Sequence, residues 1–305
     1  MINYALRPAK AIERKMLVDA IRRMDRVRDL ASYQYVGFGS PYFADFSLFH
    51  RTLGISRMIC IEREQKDADR FNFNVPFGAV ELRFGEASDV LPQLDWEQPS
   101  IVWLDYDGRL DESKLSDIGG LIQGLPSGSL FLASFSVEPP ELADRKRILL
   151  RDLGSALPLR YTDELLGGWG TADACWTAVS ERIRSDLALR NLSAPAGEDV
   201  AFEQTLHFRY SDGSKMMTVG GLLVDTPDAE RFRACSLDEL EFTRRDSLAF
   251  EITVPRLTLK EMRHLEGLLP AASTLAVGDT GIPPREAEAF RTLYRYFPKY
   301  VDVEI

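Results

Sequence analysis

The sequence predicts an α/β protein built on a mostly parallel sheet, with an antiparallel hairpin at its end and helices on both faces. Three observations predict this class. Between residues 33 and 153, strand-like and helix-like segments alternate five times, the pattern of a parallel sheet covered by crossover helices. The strand segments are almost continuously apolar, as strands buried on both faces must be. Two further strand segments, at 202–210 and 216–224, are joined through Ser211-Asp-Gly-Ser214, a hairpin signal.

Taken in order, Pro8 suits a first helical turn, and Ile12, Met16, Leu17, Ala20, Met24 and Val27 keep a helical period to about Leu30, a helix that packs on the sheet or shields a cofactor. Strand 33–38 leads to a helix near 42–53, and strand 57–62 to a helix near 65–74. Strand 79–84 ends at Gly85-Glu86-Ala87, before a short helix. Strand 100–105 leads to a helix near 112–124, and strand 129–135 to a helix near 140–153. Residues 165–171, Leu-Leu-Gly-Gly-Trp-Gly-Thr, read as an irregular connection, with a lid over an acceptor pocket as the alternative. A helix over 173–191 and a loop over 192–200 follow. Gly220-Gly221 reads as the bend closing the second hairpin strand. The tail offers a strand near 249–253, a helix opened by the capping box Thr258…Glu261, and a last helix near 285–296. The aromatic residues Phe290, Tyr294, Tyr296 and Phe297 read as core, against base stacking as the sharper alternative. Three parts result: a helical segment at 1–30 packed on the core, an α/β domain at 31–225, and a C-terminal α+β extension at 226–305.

The composition is that of a soluble globular protein: 305 residues, 45% hydrophobic and 28% charged. No apolar run nears the roughly 20 residues of a membrane span, and the first residues carry no apolar signal core. Cys60, Cys175 and Cys235, like His50, His207 and His264, are scattered, which argues against a zinc site or a disulfide framework and makes a reducing cytoplasm the simplest setting. The net charge of −10 argues against a wide nucleic-acid grip. Residues 1–30 are the exception, with eight basic residues and four acids. That segment reads as a solvated face, or as a docking face for a nucleic acid or a protein partner.

The chemistry concentrates at strand ends. Tyr33-Gln-Tyr-Val-Gly37-Phe-Gly39-Ser40 runs an apolar strand into a glycine pair, and the next strand closes on Glu62. A strand, a glycine turn and an acid ending the following strand frame a nucleotide-type cofactor site: the glycines admit a ligand to the backbone and the acid accepts from ribose hydroxyls. Glu86 and Asp105 end the third and fourth strands in the same register.

Five parallel strands followed by an antiparallel hairpin, with these motifs in this order over residues 33–224, resemble the class I S-adenosylmethionine-dependent methyltransferases. The resemblance implies a Rossmann-like methyltransferase sheet and S-adenosylmethionine as cofactor. Gly37, Gly39 and Ser40 correspond to the glycine loop at the methionine end. Glu62 corresponds to the ribose-binding acid, and Glu86 with Ala87 to the adenine contact. Leu104-Asp105-Tyr106-Asp107-Gly108 falls where such enzymes keep catalytic and acceptor-side groups. Leu6-Arg-Pro-Ala-Lys-Ala-Ile-Glu-Arg14 and Trp103-Leu-Asp-Tyr-Asp-Gly108 are also similar to uncharacterised bacterial O-methyltransferase-like proteins. Two positions depart: Tyr35 stands where an acid is usual two residues before the first glycine, and Pro41 where a third glycine is common.

On this reading Asp105 is the first candidate beside the transferred methyl group and can also meet the cofactor's ammonium. Asp107 is the second, and Tyr106 is a wall or stacking surface. No catalytic metal is expected, because Ser134-Phe135-Ser136 stands where metal-dependent relatives keep an Asp-Asn pair, leaving Glu138 as the substitute ligand to consider. The acceptor is a small-molecule hydroxyl or a nucleic acid. A non-catalytic binding or scaffold module, beside other proteins in a bacterial defence locus, is the alternative that Tyr35 and Pro41 favour. A dinucleotide-dependent oxidoreductase is a second, weakened by Tyr42 at its third glycine position. The enzymatic reading requires an open crevice outside the first, second and fourth strands, unplugged by Tyr35 or Tyr42.

Overall fold

The computed structural model describes residues 7–195 and 197–298. Eight strands form one sheet: β1 (Gln34–Phe38), β2 (Arg57–Glu62), β3 (Val80–Phe84), β4 (Ser100–Arg109), β5 (Leu130–Ser136), β6 (Val200–Ser211), β7 (Lys215–Asp225) and β8 (Phe250–Ile252). Their order is β3-β2-β1-β4-β5-β7-β6-β8. The first five are parallel, β7 is antiparallel to both β5 and β6, and β8 pairs parallel to β6 at the edge. The chain order reverses between β1 and β4, which opens a crevice at their carboxyl ends. The helices are α1 (Pro8–Arg23), α2 (Ala44–Leu53), α3 (Ala68–Asn74), α4 (Ala87–Val90), α5 (Glu112–Gly124), α6 (Arg145–Leu153), α7 (Gly170–Leu192), α8 (Ala229–Ala234), α9 (Leu259–Glu266) and α10 (Pro284–Leu293).

The sheet separates two cores, and alternation along its strands feeds both. Tyr35, Trp103, Leu130 and Leu132 face one side, where α1, α2 and α3 pack. Val36, Val102, Leu104, Phe131 and Ala133 face the other, under α5, α6 and α7. A third, smaller cluster of Leu265, Leu275, Ile282, Ala287 and Phe290 belongs to the C-terminal extension. The extension is nevertheless tied to the sheet through β8, and Tyr296 and Phe297 pack against the α1 side. The aromatic residues of the tail are thus packing residues. The expected capping box opens α9: Thr258 and Glu261 exchange side-chain to backbone hydrogen bonds.

Three local expectations change. The first helix stops at Arg23 and continues as short turns to Ser32. β4 runs to Arg109, four residues further than its apolar run indicates. Gly220 and Gly221 do not bend the chain; they lie inside β7, paired with Leu132 and Phe131 of β5. A Cβ on Gly220 would lie 2.3 Å from the Phe131 carbonyl oxygen, and one on Gly221 2.2 Å from that of Glu203. The pair lets the neighbouring backbones close in beside the bulge between Gln204 and Leu206.

The basic N-terminal segment turns its helix and two of its cations, Lys10 and Arg14, inward. Ala9, Ile12, Met16, Leu17, Ala20 and Ile21 of α1 are buried. Lys10 Nζ binds Asp105 Oδ1 at 2.6 Å and Glu13 Oε2 at 2.8 Å. Lys15 and Arg26 donate to the carbonyls of Phe297 and Ala234, and Arg23 pairs with Glu239. Arg28 grips Asp228 with two hydrogen bonds of 2.7 Å. Most of the excess positive charge of this segment therefore meets the chain's own acids and carbonyls, and of its cations only Arg22 and Arg26 are exposed on the solvated face.

Candidate active site

A cavity of about 390 Å³ opens at the carboxyl ends of β1–β4. Such a volume falls in the range of small-molecule sites. Its wall takes Phe38, Gly39 and Ser40 from the end of β1, Glu62 from β2, Glu86 and Ala87 from the turn into α4, and Asp105, Tyr106 and Asp107 from β4. Arg14 of α1, Asp45 of α2 and Lys114 of α5 complete it. Of the residues singled out from the sequence, all but Gly37 meet here.

Gly37 serves a different neighbour. Its missing Cβ would stand 2.5 Å from the Tyr35 hydroxyl and 2.8 Å from Cζ, so the glycine makes room for the Tyr35 ring. That ring is fully buried between Phe46 and Phe49, edge-on to both at 4.9 Å, and its hydroxyl donates to Asp45 Oδ2. Gly39 does border the cavity, and a Cβ there would lie 2.3 Å from Cys60 Sγ. After Pro41, Phe43 takes a left-handed backbone (φ 44°), and its buried ring packs against Phe46. Such a conformation persists where packing over-determines it. Tyr42 points to solvent. Neither tyrosine plugs the crevice.

The acids differ in environment. Burial pushes the Glu62 carboxyl above the usual carboxylate range, with hydrogen bonds from the Glu64 and Arg63 backbone opposing; Glu62 Oε1 accepts from Glu64 N at 2.9 Å. Burial likewise raises Asp45, opposed by the Arg14 charge and the Tyr35 hydrogen bond. Glu86 is exposed at the mouth, one residue before α4. Asp105 is held from behind by Lys10, whose ammonium also sits 4.3 Å over the Trp103 ring. Tyr106 stands edge-on to Phe38 at 5.0 Å, and its hydroxyl donates to Asp117 Oδ2 at 2.7 Å. Burial and the Asp117 charge raise that phenol further, so its ring forms wall while its proton stays.

Asp107 lies at a junction. With Gly108 and Lys114 it borders both this cavity and a second cleft of about 490 Å³ outside β4 and β5. Arg109 and Asp152 line that cleft, paired at 3.0 Å. At the end of β5, Ser134 accepts from Trp103 Nε1 at 2.8 Å, and Glu138 accepts from the Lys215 backbone at 2.8 Å. Among the described residues, no three of His, Cys, Asp and Glu gather as a metal site.

Sequence reasoning missed Arg14, Asp45, Lys10 and Lys114. A signal existed for two of them: Lys10, Glu13 and Arg14 fall at i, i+3 and i+4 on the stripe that continues through Leu17 and Ile21, charged residues on a buried face. Asp45 carries no such signal, because an acid in the first turn of a helix is common.

The strand order and a cavity spanning the ends of β1–β4 define a Rossmann-like methyltransferase fold. The chain belongs to the family described as "Putative O-methyltransferase", whose model matches residues 2–305. No curated protein matches it. Among solved structures it is similar to a chain of Thermobifida fusca YX described as a "putative methyltransferase" (13% identity, TM-score 0.33, 48% of this chain and 60% of that one). It is similar to PigF with SAH (15%, 0.35, 67% and 63%). It is also similar to the O-methyltransferase TomG of Streptomyces achromogenes in complex with SAM (16%, 0.36, 68% and 78%). The chain spans less than two thirds of the first two. Among the described residues, no helix is long and apolar enough to cross a membrane.

Proposed function

We propose that this protein transfers the methyl group of S-adenosylmethionine to a hydroxyl of a small polar acceptor. The observation that carries the proposal is the open cavity itself, with Glu62 and Glu86 at one end and Gly39, Ser40 and Asp105 at the other. Acids ending β2 and following β3 suit the ribose and adenine; the β1 loop and β4 suit the methionine end. The bound cofactor supplies an activated methyl group, so the protein's work is binding, alignment and exclusion of water. Asp105, fixed by Lys10, orients the reacting end. Asp107, on the border of the second cleft, takes the acceptor's proton, and Tyr106 walls the path between them. A small polar acceptor fits the charged second cleft, and the inward-turned cations of α1 favour it over a nucleic acid.

Calorimetric titration with S-adenosylhomocysteine tests the site. Wild type binds, and Glu62→Ala weakens binding about 100-fold, the effect of two lost charge-assisted hydrogen bonds. In assays of labelled methyl transfer to hydroxyl-bearing acceptors, Asp107→Asn lowers kcat and leaves cofactor affinity within about twofold, since its role is confined to proton transfer. A titration that stays flat to millimolar concentration returns the scaffold reading.

A further inference from the structure

The cavity wall holds a buried cation with an unmet donor. Arg14 is 8% exposed, lines the cavity from α1, and among the described residues its Nε is the only buried side-chain nitrogen or oxygen with no hydrogen-bond partner. Its neighbours along the segment are tied down: Lys10 to Asp105 and Glu13, Arg23 to Glu239, Arg28 to Asp228. At the other wall, Lys114 is held by Asp111 and lies 5.4 Å over the Tyr106 ring. A buried guanidinium with an unmet donor is costly, and a protein that keeps one at a cavity wall leaves that donor to a ligand.

The surroundings say which ligand group. Arg14 shares its end of the cavity with two carboxylates, Asp45 and Asp105, while Glu62 and Glu86 hold the other end. One cation and two acids around one volume match an amino-acid zwitterion: the acids face the ammonium and the guanidinium fork takes the carboxylate in a bidentate pair. We propose that Arg14 anchors the α-carboxylate of the cofactor's methionine end. The assignment rests on the cofactor reading above and adds α1, outside the α/β sheet, to the binding site.

The test is a cycle of two proteins and two ligands, measured by calorimetry on the full chain: wild type and Arg14→Met, each with S-adenosylhomocysteine and with its decarboxylated analogue, which keeps the ammonium and the adenosine. Wild type prefers the carboxylated ligand about 10- to 100-fold, the effect of one charge-assisted pair. Arg14→Met removes the preference, binding both ligands about as the wild type binds the analogue. Arg14→Lys, with the charge but not the fork, falls between. The Arg14 charge also opposes the effect of burial on Asp45, so melting of the unliganded Arg14→Met protein is read apart from its ligand preference. Equal weakening of both ligands would make Arg14 structural and overturn the proposal. An intact preference in Arg14→Met would overturn it too, leaving the cofactor site standing. Wild type that binds neither ligand overturns the cofactor site and this assignment together.

Discussion

A methyl group on Gly37 would collide with Tyr35, not with a ligand, and that contact explains how the loop reaches its shape. Tyr35 fills the space under the glycine and spends its hydroxyl on Asp45. Asp45 of α2, which accepts that hydrogen bond, lines the same cavity. Gly37→Ala is expected to destabilise the fold by about 1–3 kcal/mol through overpacking. Tyr35→Phe removes the closest atom of the clash, so the double variant loses less than the sum of the two single ones. Urea melts of the four proteins check this; strict additivity would show that the two residues do not share the space. Tyr35→Phe by itself also strips Asp45 of its donor and is expected to lower S-adenosylhomocysteine affinity without closing the cavity.

At the scale of elements, α1 behaves as part of the site. Its N-terminus is capped across the molecule, Lys10 N donating to Asp212 Oδ2 at 3.1 Å in the β6–β7 turn. Its buried face carries Lys10 to Asp105, and Glu13 to Tyr210 and Thr218. Lys10→Met leaves Glu13 without its cation in the core and is expected to cost about 3–5 kcal/mol, the range for breaking a buried ion pair from one side. Lys10→Met with Glu13→Gln should recover part of that loss; urea denaturation of both separates charge from packing. The β-strands and their helices were legible because their signals are local: apolar runs, glycine turns, a capping box. The acids at strand ends were legible for the same reason, since a strand end places its last side chain at the crevice. The packing of α1 on the core was legible too, but the tethers of the basic N-terminal residues were not. The partners of Lys10 and Arg28 lie 95 and 200 residues away, and a count of basic residues cannot tell a surface stripe from a set of buried tethers.

Across the whole molecule, the N-terminal helical segment and the C-terminal extension are tied together against the sheet. Tyr296 donates to Asp19 at 3.0 Å, Lys15 reaches the Phe297 carbonyl, and Arg28 and Arg231 converge on Asp228, just past β7. These tethers hold the extension against the segment whose Arg14 lines the cavity. They also set how stability responds to acid. Burial opposes ionisation of Asp228, but hydrogen bonds from Arg28, Ser127 and Arg231 outweigh it and hold the carboxyl below its ordinary range. The unfolded chain then binds the proton first, so this clasp is fully present above the ordinary aspartate pKa of about 3.9 and is lost as pH falls through the lower folded value. Asp45, Glu62 and Asp212 carry the opposite sign: burial raises them, so they withdraw stability as pH rises through and above that point. Subtracting Asp228→Asn from wild type isolates the clasp. The substitution is expected to cost about 3 kcal/mol near neutrality, the lower end for a buried pair, and the gap between the two proteins should narrow steadily below about pH 4. A gap that stays constant down to pH 3 in urea melts would mean the Asp228 cluster holds by shape alone, and that its charge does not fasten the extension to the sheet.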